Sequence, residues 1–106
     1  MNNQLSFANR LLPIGSVIRL TGSLPEQKVL IINRVVAGKW KGENGYFEYA
    51  GCKHVVGAIE NDYFYFNSEN IEEVLFAGYV DDSEIELQKD YKNFLEETKL
   101  KKLNIV

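Results

Sequence analysis

The sequence predicts an α+β, mainly β fold: a curved antiparallel sheet or small barrel of about five strands with a C-terminal helix. Three observations carry that expectation. Apolar runs recur at spacings of about 8 to 15 residues, with glycine-bearing turns between them. The longest of them, Lys28 to Val36 (KVLIINRVV), is rich in β-branched residues. From Ser83 onward the apolar spacing changes to threes and fours, the period of a helix.

Taken in order, residues 11–20 read LLPIGSVIRL, an apolar stretch broken by Pro13, Gly15 and Ser16. Pro13 pushes Leu12 toward extended backbone, Gly15 permits a tight turn, and Ser16 to Thr21 alternates as a short strand. No helix follows the glycine, so the stretch is a turn that opens the sheet rather than a loop that grips a phosphate. Gly22-Ser23-Leu24-Pro25 makes the next turn. Lys28 to Val36 then forms a central strand, covered on both faces or twisted around a barrel. Ala37 to Gly45 holds three glycines and reads as an exposed hairpin connection, after which Tyr46 to Tyr49 starts another strand. A short strand around Lys53 to Val56 and an aromatic one at Tyr63 to Phe66 flank a turn at Glu60-Asn61-Asp62.

Asn67 to Asn70 supplies cap chemistry for a helical turn over Ile71 to Val74, and LFAGY (residues 75–79) is the expected last edge strand. The C-terminal helix is expected from Ser83, which forms a capping box with Glu86, and acids at 81, 82, 84 and 86 suit its N-terminal dipole. Leu87, Tyr91, Phe94, Leu95 and Thr98 mark its inward stripe, with Lys99, Lys101 and Lys102 near its end.

A chain of 106 residues reads as one domain. Residues 1–10 form a lead-in, 11–80 the mainly β part, and 81–106 the helix and tail. With 45% hydrophobic and 25% charged residues it lies far from disordered composition. A net charge of −3 and a pI near 5.2 argue against nucleic acid, which demands concentrated Lys and Arg. The charge is uneven. Residues 1–59 carry 7 basic and 3 acidic side chains, a net +4, while 60–106 carry 5 and 12, a net −7. Such asymmetry either steers a partner or reflects acids gathered where helix N-termini favour them. Cys52 is the one cysteine, so neither an intrachain disulfide nor an all-cysteine zinc site is expected. The N-terminal residues lack a leader pattern and no window has membrane-span character, so a cytoplasmic protein without membrane contact is expected.

For chemistry, Cys52 and His54 are the best local pair, since strand residues two apart face the same way. They lack the context of a known thiol enzyme and supply two soft ligands where a structural zinc needs four. The acids from 81 to 86 lack the spacing of a calcium loop, and the glycines form no nucleotide motif. No catalytic residue, metal or cofactor is expected. The densest feature is aromatic: Trp40, Tyr46, Tyr49, Tyr63 and Tyr65 form the expected protein-binding face, of which strand alternation leaves about half free. Asp81, Asp82 and Glu84 at the helix start are its acidic counterpart.

Several segments in this order resemble a small uncharacterised family from Gram-positive bacteria, a domain of unknown function. The resemblance rests on Leu12, Pro13, Gly15, Ser16 and Val17, then Phe47, Tyr49 and Gly51, then Phe66, Asn67, Ile71, Val74, Phe76, Gly78 and Tyr79. It covers about residues 11–95. His54-Val55-Val56-Gly57 departs from it, where members often carry tyrosine-proline-x-glycine. The motif residues are structural in type, so no catalytic residue follows from them. The resemblance implies genes beside type VII secretion components and exported polymorphic toxins. It therefore implies a non-enzymatic protein-binding accessory factor whose partner is a toxin or secretion component. Two alternatives stand beside it: an immunity-type toxin inhibitor, and an enzyme or small-ligand binder built on Cys52 and His54.

Overall fold

The opening turn sets the first strand. Gly15 takes φ +91°, a left-handed conformation open to glycine, and its N–H donates to the Ile31 carbonyl at 2.9 Å. The Ile31 N–H returns a bond to the Ser16 carbonyl at 2.9 Å, so the turn is stitched directly to the neighbouring strand. In this computed structural model, which describes residues 11–105, strands β1 (Val17–Leu20), β2 (Val29–Trp40), β3 (Glu43–Lys53), β4 (Phe64–Phe66), β5 (Ile71–Phe76) and β6 (Lys101–Lys102) form one sheet. Helix α1 spans Asp82–Glu97. The expected lead-in, residues 1–10, lies outside the described residues.

The strand order is β4-β3-β2-β1-β5. These pairings are antiparallel, and β6 runs parallel beside Gly45 and Tyr46 of β3. The sheet does not close on itself: β4 and β5 lie at opposite ends, so the expected curved sheet forms and the barrel alternative does not.

The β2–β3 hairpin is longer than its composition suggests. Residues 37–40 and 43–45 are strand rather than connection, and the turn is only Lys41-Gly42, with φ of 50° and 82°. Positive φ at both positions is the turn geometry whose twist matches the flanking strands. Gly45 stays glycine for another reason: a Cβ there would run into the Lys101 carbonyl oxygen and the Leu103 side chain. β3 then continues through Cys52 to Lys53, and residues 54–56 form a turn where a separate strand over Lys53 to Val56 was expected. Gly57, φ +83°, closes it by donating to the Lys53 carbonyl.

Ile71 to Val74 is strand β5 and not the expected helical turn. Only Ser68–Asn70 makes a tight 3-10 turn, because pairing with β1 captures the following backbone as extended chain. The helix also starts earlier than expected. Asp81 is its cap, accepting the Glu84 N–H at 3.0 Å, so Asp81 takes the role assigned to Ser83.

The core joins Leu11, Leu12, Ile18, Val29, Ile31, Tyr49, Phe66 and Tyr91. Tyr49 and Phe66, cross-strand partners, stack at 5.4 Å between ring centroids. Each fully buried aliphatic or Phe side chain contributes about 1.5–3 kcal/mol through apolar area removed from water. The helix seat keeps Tyr91, Phe94 and Thr98 of the expected stripe and differs at its other two positions. Leu87 and Leu95 are exposed, and the inward positions are Glu84, Gln88, Tyr91, Phe94 and Thr98. Three of these make specific polar contacts. Glu84 pairs with Arg34 at 2.6 Å, Gln88 binds both the N–H and the carbonyl of Leu11, and the Tyr91 hydroxyl donates to Glu48 at 2.7 Å.

Candidate functional site

The aromatic residues expected to form one binding face fall into three places. Tyr46 and Tyr49 are buried. Tyr46 meets Phe94 of α1 edge-on at 5.3 Å, and the Tyr49 hydroxyl accepts the Leu12 N–H at 2.9 Å. Burial is the first cause that raises the pKa of both, and nearby Glu48 adds to it. Trp40 and Tyr65 flank Phe47, with ring centroids 5.6 and 6.0 Å from it. Together with Val36, Gly38 and Leu103 they line a shallow groove of about 210 Å³. The Trp40 indole N–H is buried there and, among the described residues, has no hydrogen-bond partner. Tyr63 is exposed.

Cys52 is buried within β3, whereas His54 is exposed in the turn that follows, its N–H donating to the Lys28 carbonyl at 3.0 Å. A buried thiol beside a solvent-facing imidazole offers no accessible nucleophile and base. Among the described residues, no group of three or more His, Cys, Asp and Glu side chains is arranged to hold a metal ion. Among the same residues, no helix is long and apolar enough to cross a membrane.

Of the three acids singled out at the helix start, Glu84 is structural. Its ion pair with Arg34 leaves the two side chains only 10% and 11% exposed, so it seats α1 rather than facing a partner. Asp81 caps the helix, and Asp82 is exposed beside it. These two border a surface the sequence reading did not assemble. From residue 54 to 88 the chain carries no Lys or Arg and nine carboxylates. Within that stretch β5, the connection after it and the first turn of α1 expose Leu75, Phe76, Tyr79, Val80 and Ile85, with Phe76 62% and Tyr79 80% exposed. Large apolar side chains exposed together with an acidic surround mark an interaction surface more readily than scattered ones do.

The connection that bears Tyr79 and Val80 is clamped from below. The fully buried Ser16 hydroxyl donates to the Pro13 carbonyl at 2.7 Å and accepts the Gly78 N–H at 3.0 Å. A Cβ at position 78 would run into the Ile14 carbonyl oxygen, so the close approach demands glycine. The opening turn thus holds the far connection at a fixed height, and Ile14 is itself exposed beside it. A comparable latch sits at Asn67, which is fully buried. Its side chain accepts the Glu48 N–H at 2.9 Å and donates to the Leu103 carbonyl, tying β3 to the segment after β6.

Phe76 and Tyr79 carried the family resemblance, yet sequence reasoning did not see them as surface. The available signal was an edge strand whose apolar residues sit in a long stretch without a basic side chain. No curated protein and no solved structure matches the chain. A family model does match, over residues 11–87, a span that includes β1 to β5, the Ser16–Gly78 clamp and the exposed surface above it. The chain belongs to that family, described as Domain of unknown function (DUF4176).

Proposed function

We propose that this protein is a non-enzymatic protein-binding accessory factor that engages its partner through β5, the β5–α1 connection and the first turn of α1. The observation that carries the reading is the exposure of Phe76 at the end of β5 and of Tyr79 on the clamped connection after it, within a stretch devoid of Lys and Arg. Rigid aromatic side chains bind at low entropic cost, and an anionic surround favours a basic partner. The gene context implied by the family resemblance supplies the partner class: a toxin or component of type VII secretion, bound before export in the cytoplasm, where Cys52 stays reduced.

The experiment is co-purification with the products of neighbouring genes, followed by affinity measurement for wild type and for Phe76→Ser with Tyr79→Ser. Aromatic anchors of this kind weaken binding about tenfold or more when truncated. Wild-type affinity in the double variant, or no partner retained at micromolar concentration, overturns the reading. Cys52→Ala and His54→Ala leave binding unchanged, and an activity lost in either variant would instead support an enzyme. A second reading, an immunity-type inhibitor, is favoured by the same acidic stretch, which suits the basic surface of a nuclease. Protection of cells from the neighbouring toxin identifies that role, and altered export without protection identifies the accessory factor.

A further inference from the structure

We infer that the groove between Trp40, Phe47 and Tyr65 binds a carboxylate carried on an apolar body, supplied either by a small aromatic acid or by the C-terminal end of a peptide. This site is separate from the β5 surface: its residues come from β2, β3 and β4, and β5 ends the sheet on the other side. Three observations on different residues carry it: a glycine the fold does not require, a donor without an acceptor, and two lysines without a counter-ion.

Gly38 lies inside β2, opposite Gly45 of β3. Packing against Lys101 and Leu103 explains Gly45, but Gly38 has neither a positive φ nor a close neighbour: a Cβ there would meet nothing within 4 Å. A glycine inside a strand weakens it and often marks the close approach of a ligand. Here it leaves one side of the groove open, with Val36, Phe47, Tyr65 and Leu103 as apolar walls around about 210 Å³. That space suits one ring or a short branched chain and is smaller than the pockets that hold drug-sized molecules.

Trp40 supplies the donor. Its indole N–H is buried and unbonded among the described residues, an uncommon and unfavourable state that an incoming acceptor relieves. As it stands the atom is closed to water, so entry includes a tilt of the ring and displacement of the Lys41 ammonium, which lies 5.7 Å over it. The charges select an acid among acceptors. Lys39 lines the groove and Lys41 follows Trp40 in the chain, and among the described residues neither forms an ion pair. Glu43, the cross-strand neighbour of Trp40, is already paired with Lys101 at 2.7 Å. A carboxylate in the groove therefore meets an indole N–H and two uncompensated ammonium groups, the setting of a charge-assisted hydrogen bond.

The test uses the full chain, whose one tryptophan is Trp40, so indole fluorescence and the indole N–H resonance report on this site alone. The probes are phenylpropionate, its uncharged amide, and an acetylated tripeptide ending in phenylalanine with a free or an amidated C-terminus. Saturable binding of phenylpropionate is expected, with a downfield shift of the indole N–H and about tenfold weaker binding of the amide. Gly38→Val fills the open space; it is expected to abolish binding while thermal unfolding stays at or above the wild-type temperature. Lys39→Met with Lys41→Met is expected to weaken binding several-fold and to flatten its salt dependence, whereas Phe76→Ser with Tyr79→Ser leaves it unchanged. Tighter binding of the free-acid tripeptide than of phenylpropionate identifies a peptide end as the source, and the reverse identifies a small acid. Equal binding of acid and amide, wild-type affinity in Gly38→Val, an unmoved indole N–H, or no saturation by about 10 mM overturns the site.

Discussion

Replacing Ser16 with Ala removes the hydroxyl that joins the opening turn to the β5–α1 connection. The cost follows from what each bonded group retains. The Pro13 carbonyl keeps a second donor, the Ser16 N–H at 3.2 Å, so losing the hydroxyl there costs only the net value of one hydrogen bond, about 1 kcal/mol. The Gly78 N–H has the Ser16 oxygen at 3.0 Å as its partner; stranding a part-buried donor costs about 1–2 kcal/mol. Together the loss is about 2–3 kcal/mol, which for a domain of this size lowers Tm by about 10–20 °C. Urea unfolding with an unchanged m-value measures it, and amide exchange should accelerate at residues 78–80. A change below about 0.5 kcal/mol with Gly78 exchange unaltered would refute the clamp, since that is the range of an ordinary surface substitution.

Lys41→Asn should raise stability by about 0.5 kcal/mol, because Asn tolerates the positive φ that Lys41 adopts; the gain is reduced by loss of the Lys41 ammonium lying 5.7 Å over the Trp40 ring. Gly42→Ala in the same turn should lower it by about 1 kcal/mol, both read by thermal unfolding. Arg34→Met or Glu84→Leu alone should cost about 3 kcal/mol by leaving a buried partner uncompensated, while the two together should cost much less than their sum, a double-mutant cycle that isolates the pair. Tyr91→Phe should cost about 1–2 kcal/mol by removing the donor to Glu48. Burial first, then the Glu48 hydrogen bond and charge, hold the Tyr91 pKa above the ordinary tyrosine value of 10.0. Its contribution is therefore complete below about pH 10 and is lost as pH rises beyond that, where unfolded tyrosine ionises and the folded one resists. Denaturation curves from pH 8 to 11 should show stability falling less steeply in Tyr91→Phe than in wild type.

Much of the scaffold was legible because its signals are local. The opening turn, the β-branched run of β2 and the C-terminal helix all announce themselves through backbone preference and apolar period. The β2–β3 hairpin was less legible, since Gly38 and Gly45 read as loop residues. Gly45 is small because Lys101 and Leu103 pack against it from more than fifty residues away, and no local pattern reports that. β5 misled for the same reason: Ile-Glu-Glu-Val suits a helix by itself, and only pairing with β1 makes it a strand. The helix stripe was legible at Tyr91, Phe94 and Thr98 but not at Glu84 and Gln88, which take the seat in place of Leu87 and Leu95 through hydrogen bonds and an ion pair that hydrophobic periodicity does not register.

The candidate surface was legible by half. The acidic helix start, Asp81 and Asp82, stood out in the charge pattern, and it borders the exposed patch. The tyrosines Tyr46 and Tyr49 drew attention by density, yet a strand covered on both faces buries them with Phe94 and Phe66. Phe76 and Tyr79 were recognisable as family residues, but their exposure depends on the pairing of β5 with β1 and on the Ser16–Gly78 clamp, contacts between distant segments that no local pattern reports.

Amide hydrogen exchange of the full chain, alone and saturated with a neighbouring gene product that co-purifies with it, tests the central claim most directly. The proposed surface predicts new protection across residues 71–76 and 79–85, with the Trp40 and Tyr65 groove unchanged. Protection confined to that groove and to Tyr63, with β5 and the connection exchanging as in the free protein, would contradict it.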